Sequence, residues 1–200
     1  MNDAITVVEA GGIIVYPTST QPALGCLPTS AALDKLFNAK NRSAEMPVSL
    51  GVANLSQAAA LVEVPEMLEG FLASFPEGAI TVILPALSPL DSRLGEEKIA
   101  IRVVSHPTAK TLLQQVGPLT ATSANISGEK PYLNCKDAAI ALSKGKKNLA
   151  FIAGICSNGP PSTLISWHSA CDSPACPDIV VLREGLVKKL EIQAWLKNQI

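Results

Sequence analysis

The chain has 200 residues, with 16 Lys+Arg against 17 Asp+Glu. That length suits one ordinary domain with a sizeable core, and a net charge of -1 argues against a generally basic nucleic-acid binder, although a local basic patch fits inside a neutral total. No apolar run is long enough to cross a bilayer, and the opening MNDAITVVEA lacks the positive n-region and apolar centre of a secretory signal, so a cytosolic (cytoplasmic) protein is expected.

In chain order, Asp3 is expected to cap a short helix that turns Ile5 and Val8 inward, and Gly11-Gly12 to stop it before a strand over 13–16. Over 30–41, Leu33, Leu36 and Phe37 fall at i, i+3 and i+4, a buried helical stripe. A strand over 48–53 follows, then Asn54-x-x-Gln57 as a capping box for an Ala-rich helix. Pro65 suits the first turn of another helix, carrying Leu68, Phe71, Leu72 and Phe75. Residues 80–84 and 99–103 are β-rich, and Pro107 starts a helix through Leu112, Leu113 and Val116. Further strands are predicted over 149–152, 163–165 and 179–182, and Ile192, Trp195 and Leu196 fit a closing amphipathic helix. Interleaving of this kind predicts an α/β fold, an open sheet covered by helices, with ligands at loops leaving the strand ends.

Four polar islands sit beside the strand-like runs. Tyr16-Pro-Thr-Ser-Thr-Gln21 places hydroxyls at 18–20 either to bind a small polar substrate or to form a Pro-containing turn. Lys40 extends the Leu33 stripe at i+7 and should lean toward the body of the protein. With Arg42 it either meets an anion such as a triphosphate or complements the helix C-terminus. Arg102, ending a strand, either clamps a carboxylate or makes a structural salt bridge. Thr120-Ala-Thr-Ser-Ala-Asn-Ile-Ser-Gly128 packs four hydroxyls, an amide and a glycine into nine residues, a composition that suits phosphate, ribose or an amino-acid head group. The alternative is an ordinary Ser/Thr/Asn turn.

Five cysteines, at 26, 135, 156, 171 and 176, are odd in number and form no CxxC pair. Cys171-x4-Cys176 with His168 nearby lacks an evident fourth ligand, so a loop of reduced thiols is expected there and no metal site is predicted.

In their serial order, Tyr-Pro-Thr, Lys-x-Arg, Ala-Ile-Arg-Val-x-x-His-Pro and Thr-Ser-Ala-Asn-Ile-Ser-Gly resemble the YrdC/Sua5/TsaC family, as do the later Ser162-Thr163 and Leu182-Arg183-x-Gly185. The resemblance runs from about Gly11 to Gly185 and implies a single YrdC-like domain over 1–200, the short form without an extra carboxy-terminal domain. It implies a twisted open sheet, mainly parallel or mixed, flanked by helices. The implied activity is that of a threonylcarbamoyl-AMP synthase, a nucleotidyltransferase that makes threonylcarbamoyl-adenylate and pyrophosphate from L-threonine, bicarbonate or CO2, and ATP with Mg2+. The product serves tRNA modification, in which a second enzyme passes the threonylcarbamoyl group to adenosine 37, so contact with tRNA or with that enzyme is a further implied partnership.

Carried over by motif, Lys40, Arg42, Ser123, Asn125 and Arg183 match ATP-contacting positions, and Thr18, Arg102 and Ser162 match positions around threonine. No enzyme nucleophile is implied. The threonine amine takes up CO2, the carbamate oxygen attacks the α-phosphorus, and catalysis rests on positioning and cations, Lys40 and Arg42 foremost. The sequence departs from the family pattern at Ser19 (usually Glu), Pro22-Ala23 (an aromatic and Gly), Ser43 (Pro), Met46 (Asn), Phe75-Pro-Glu-Gly78 (Trp-Pro-Gly-Pro) and Pro161 (Glu). These losses spare the cations and thin the polar surroundings, which leaves a catalytically silent RNA-binding or assembly module on the same fold as the alternative.

Overall fold

A computed structural model describes residues 1–143, 149–168 and 178–198. Its elements are α1 (Asn2–Glu9), β1 (Ile14–Tyr16), β2 (Ala23–Gly25), α2 (Ser30–Lys40), β3 (Leu50–Val52), α3 (Leu55–Ala58), α4 (Leu68–Ala73), β4 (Ile80–Pro85) and β5 (Lys98–Val103), followed by α5 (Pro107–Val116), β6 (Leu119–Thr120), β7 (Thr122–Ser123), α6 (Cys135–Ser143), β8 (Ala150–Phe151), β9 (Thr163–His168), β10 (Asp178–Arg183) and α7 (Lys189–Lys197).

The strands form two sheets, in the orders β7-β2-β1-β8 and β10-β9-β4-β5-β3-β6. Of the two sheet types implied by the family resemblance, it is the mixed one that forms: β1 with β8, β3 with β5 and β4 with β9 are parallel, and the other pairings are antiparallel. β1 explains why its sequence is continuously apolar. Val15 enters the larger core, while Ile14 and Tyr16 enter a second one built with Ala4 and Val8 of α1 and Ala109, Leu112 and Leu113 of α5. A strand covered on both faces has no polar side to alternate with.

Tyr16 ties the two sheets together. Its ring is fully buried and its hydroxyl donates to the Thr120 carbonyl at 3.0 Å, from β1 of one sheet to β6 of the other. Gly25, opposite Ile14 on β2, makes room for that ring, because a Cβ there would stand 2.6 Å from it. On the far side of the larger sheet, Phe71 of α4 meets Phe75, Trp167 of β9 and Trp195 of α7 edge-on, with centroids 4.9 to 5.3 Å apart. Such pairs contribute about 0.5 to 1.5 kcal/mol each beyond their burial and fix the two helices against the sheet.

Several boundaries differ from expectation. Asp3 lies inside the first turn of α1, and Met1 occupies the cap position without a side-chain bond. Asn54 does cap α3, accepting from the Gln57 N–H at 2.8 Å, yet the Gln57 side chain reaches back to Ala53 N rather than to Asn54 N, and the helix closes at Ala58. Pro65 starts a single turn, and α4 begins only at Leu68. The elements expected from the sequence do not include β2, β6, β7 or α6. For α6 a signal existed: Asn134, whose Oδ1 accepts from Lys136 N at 2.9 Å, precedes the Ala-rich run 138–142. The Cys171/Cys176 pair lies outside the described residues.

Candidate active site

A cavity of about 240 Å3 opens between the two sheets, and six of the residues singled out in the sequence line it: Thr18, Arg42, Arg102, Ser123, Ser162 and Arg183. β5 shows how the fold delivers them. Ile99 and Ile101 point into the core, so the period of two turns Ala100 and Arg102 to the cavity. Beside them on β4 and β9, Thr81 and Leu164 are register partners and line the same floor.

The Thr18 turn is both a turn and a wall. Thr18 Oγ1 donates to the Gln21 carbonyl at 2.6 Å and accepts from the N–H groups of Thr20 and Gln21, each at 3.3 Å, the local bonding that threonine favours in turns. The Thr18 N–H donates to Cys156 Sγ at 3.4 Å. Thr20 and Ser19 then hold Arg102: the guanidinium donates to Ser19 Oγ at 3.1 Å, to Thr20 Oγ1 at 3.3 Å and, through Nε, to the Gly78 carbonyl at 2.9 Å. Ser19 therefore steadies Arg102 where the family pattern has a Glu.

On the opposite wall, Ser162 Oγ and Thr81 Oγ1 share a hydrogen bond at 2.7 Å, and Arg183 donates to the Ser162 carbonyl at 3.0 Å. Thr163 Oγ1 accepts from Gly185 N and Val187 N, both at 3.0 Å, pinning the chain after β10 against the start of β9. Gly185 is required for that approach, since a Cβ there would collide with the backbone of Pro161 and Ser162.

Lys40 and Asn125 do not line the cavity. Lys40 ends α2 on the buried stripe, 1% exposed, and its ammonium donates to the carbonyls of Ser123 and Asn125, the latter at 2.8 Å, and to Asn125 Oδ1 at 3.4 Å. Asn125 is itself committed within the loop, where its amide donates to the carbonyls of Ile126 and Glu129 and its Oδ1 accepts from Ser123 Oγ. The left-handed Asn41, φ 51°, separates Lys40 from Arg42 and is stabilised by bonds from Asn41 N to Asn38 O and from Arg42 N to Phe37 O. This turn sends Lys40 inward and Arg42 to the cavity, where Arg42 also donates to the carbonyls of Met46 (2.7 Å) and Pro47 (3.0 Å).

The electrostatics are one-sided. Among the described residues three guanidiniums and no carboxylate line the cavity. Among the described residues the ion pairs join Arg93 to Asp34 and Asp91, Lys110 to Glu77 and Lys188 to Glu184, so Arg42, Arg102 and Arg183 remain without an acidic partner. The salt-bridge alternative for Arg102 is thus not what the structure contains. Burial pulls Arg102 below the usual arginine range, and the like charge of Arg183 adds to this. Burial lowers Arg42 as well, and Lys40 is lowered to about 8 by burial and then by Arg42. Arg102 is buried, Arg42 half-buried and Arg183 exposed at the rim, and a buried cation without an acid partner favours an anionic ligand. A second cavity, of about 470 Å3 between α3, α4 and β5, lacks this character because its Lys110 is already paired with Glu77.

Sequence reasoning missed Thr81 and Pro161 as lining residues and Cys156 as the partner of Thr18. Thr20, which also lines the cavity, belongs to the hydroxyl island read from the sequence. Thr81 faces the cavity through the register of β4 with β9, and Pro161 and Cys156 are placed by the chain path between distant elements, neither of which leaves a local mark.

The Sua5/YciO/YrdC family model, described as "Telomere recombination", matches residues 6–185. The chain belongs to this family. It is 34% identical over 198 residues to the threonylcarbamoyl-AMP synthase of Bacillus subtilis (strain 168), covering 96% of this chain and 55% of that protein. The crystal structure of P. abyssi Sua5 complexed with L-threonine superposes with a TM-score of 0.80 at 27% identity, over 96% of this chain and 56% of that one. E. coli YciO superposes with a TM-score of 0.72 at 25% identity, over 94% of this chain and 89% of that one. The chain therefore spans little more than half the length of the first two relatives. Among the described residues, no helix of this Sua5/YciO/YrdC member is long and apolar enough to cross a membrane.

Proposed function

We propose that this chain is a threonylcarbamoyl-AMP synthase that condenses L-threonine, bicarbonate or CO2 and ATP into threonylcarbamoyl-adenylate and pyrophosphate for tRNA modification in the cytoplasm. The observation that carries this reading is the convergence on one arginine-lined cavity of motif residues spread from Thr18 to Arg183. Arg102, fixed by Gly78, Ser19 and Thr20, takes the threonine carboxylate, with Thr18 and Ser162 beside it. Arg42, Arg183 and Ser123 take the nucleotide, with Lys40 and Asn125 behind the Ser123 loop.

The chemistry needs no covalent nucleophile. Holding carbamate and α-phosphate in line supplies the entropic part of the rate enhancement, and the guanidiniums spread the charge that develops on the leaving pyrophosphate. Because no carboxylate among the described residues lines the cavity, these residues do not build a resident Mg2+ site, and the ion enters as part of the MgATP substrate.

The test is incubation of the protein with ATP, Mg2+ and 13C-bicarbonate, with threonine, serine or no amino acid, followed by mass spectrometry. A threonine-dependent adenylate carrying one 13C is expected. RNA binding with no adenylate under any amino acid would instead support the silent module.

A further inference from the structure

We propose that Lys40 is a positioning residue that holds the Ser123–Ser127 loop in its ligand-ready shape, its ammonium turned to the loop and away from the nucleotide phosphates. The inference rests on the reading of this cavity as a nucleotide site. The lysine grips the loop from two directions. Its ammonium, a donor of three hydrogen bonds and an acceptor of none, faces three oxygens: the carbonyls of Ser123 and Asn125, and Asn125 Oδ1. Its own carbonyl accepts from Ser127 N at 2.9 Å. One residue of α2 thus ties both ends of the five-residue segment, and its donors are fully used. Lys40 is 1% exposed and absent from the cavity wall, whereas Arg42, two residues on, lines it.

A buried ammonium with no carboxylate partner is costly unless oxygens surround it, and three oxygens converge here. If the phosphates were to recruit this ammonium, the loop would lose bonds that no other described side chain makes to these oxygens. Ser123 lines the cavity, and its Oγ donates to Asn125 Oδ1, the same atom that Lys40 holds. Lys40 therefore acts on the ligand through Asn125 and Ser123.

The decisive experiment compares wild type with Lys40→Met, which keeps the aliphatic stem, in two measurements. Amide hydrogen exchange on the unliganded protein should quicken at residues 123–127 and not in the body of the sheets. Calorimetry should show AMP and ATP weakened by the same factor, about tenfold, because a misplaced loop penalises every nucleotide alike. A loss confined to ATP with unchanged loop exchange would make Lys40 a phosphate ligand and overturn the proposal. Unchanged affinity per folded molecule for both nucleotides would reduce it to a structural cation and overturn it equally. If the wild type binds neither nucleotide, the functional reading fails separately, and the exchange data alone decide whether Lys40 holds the loop. Should Lys40→Met not fold, the Lys40 Nζ resonance of the 15N-lysine wild type replaces it: little movement on adding ATP is expected, and a large shift would refute the assignment.

Discussion

The backbone N–H of Thr18 donates to the sulfur of Cys156 across 3.4 Å, linking the first wall of the cavity to the segment after β8. Cys156 is buried, its thiol is lowered by the hydrogen bond from Cys135, and Cys135 is raised by the same bond. Removing the acceptor with Cys156→Ala leaves a buried N–H unsatisfied, at a cost of about 1 to 3 kcal/mol. Urea denaturation should show that loss. With the adenylate assay, KM for threonine should rise while KM for ATP stays close to wild type, because Thr18 lies on the Arg102 side.

Arg102→Lys should weaken threonine binding by roughly ten- to a hundredfold, the range for a lost charge-assisted contact. A lysine presents a point charge in place of a planar fork and cannot reach Gly78, Ser19, Thr20 and a carboxylate together. Titration of threonine into the MgATP-loaded protein checks this, and retained ATP affinity would distinguish the lost carboxylate grip from general collapse of the cavity.

Asn125→Ala should lower both the melting temperature and the nucleotide affinity, whereas Ser123→Ala should chiefly lower affinity. The Asn125 side chain joins Ser123, Lys40, Ile126 and Glu129, so its loss opens the loop in the unliganded protein. Ser123 lines the cavity, and its Oγ donates one intraloop bond. Differential scanning calorimetry beside ATP titration separates the two. An unchanged melting temperature for Asn125→Ala would contradict the loop geometry.

Gly185→Ala should destabilise the protein by about 1 to 3 kcal/mol, as overpacking does, and raise KM for threonine. The added Cβ must push Pro161 and Ser162 off the cavity wall. Guanidinium denaturation and steady-state kinetics provide the two readouts.

The lowered Lys40, at about 8 against an unfolded value of 10.5, gives opposite signs to binding and stability. As pH rises through 8 the folded protein releases a proton that the unfolded chain keeps until about 10.5. Between these values the unfolded state binds more protons, so the contribution of this group to stability increases with pH, and it is lost as pH falls through 8. The neutral amine, however, offers two donors to three oxygens, so the grip on the loop loosens and nucleotide affinity should fall over the same rise. Denaturation and ATP titration of wild type and Lys40→Met at pH 7 and 9.5 measure both slopes, which Lys40→Met should lack.

By itself the sequence determined the α/β class, the stripe of α2, the apolar strands and the motif order, because each rests on a local period or on residue types adjacent in the chain. It also placed Lys40 on the inward face of its helix, since Leu33, Leu36 and Lys40 recur at helical spacing. What the ammonium meets there belongs to tertiary structure, which brings the carbonyls of residues 83 and 85 positions away to one atom. The short β2, β6 and β7 exist through their partners rather than their own propensity. The division into two mixed sheets followed from pairings between distant strands, whose energy lies in contacts that no window of sequence contains. Whether Arg102 had a carboxylate partner was likewise decided only by tertiary structure, where β5 packs beside the Thr18 turn and no ion pair to Arg102 forms among the described residues.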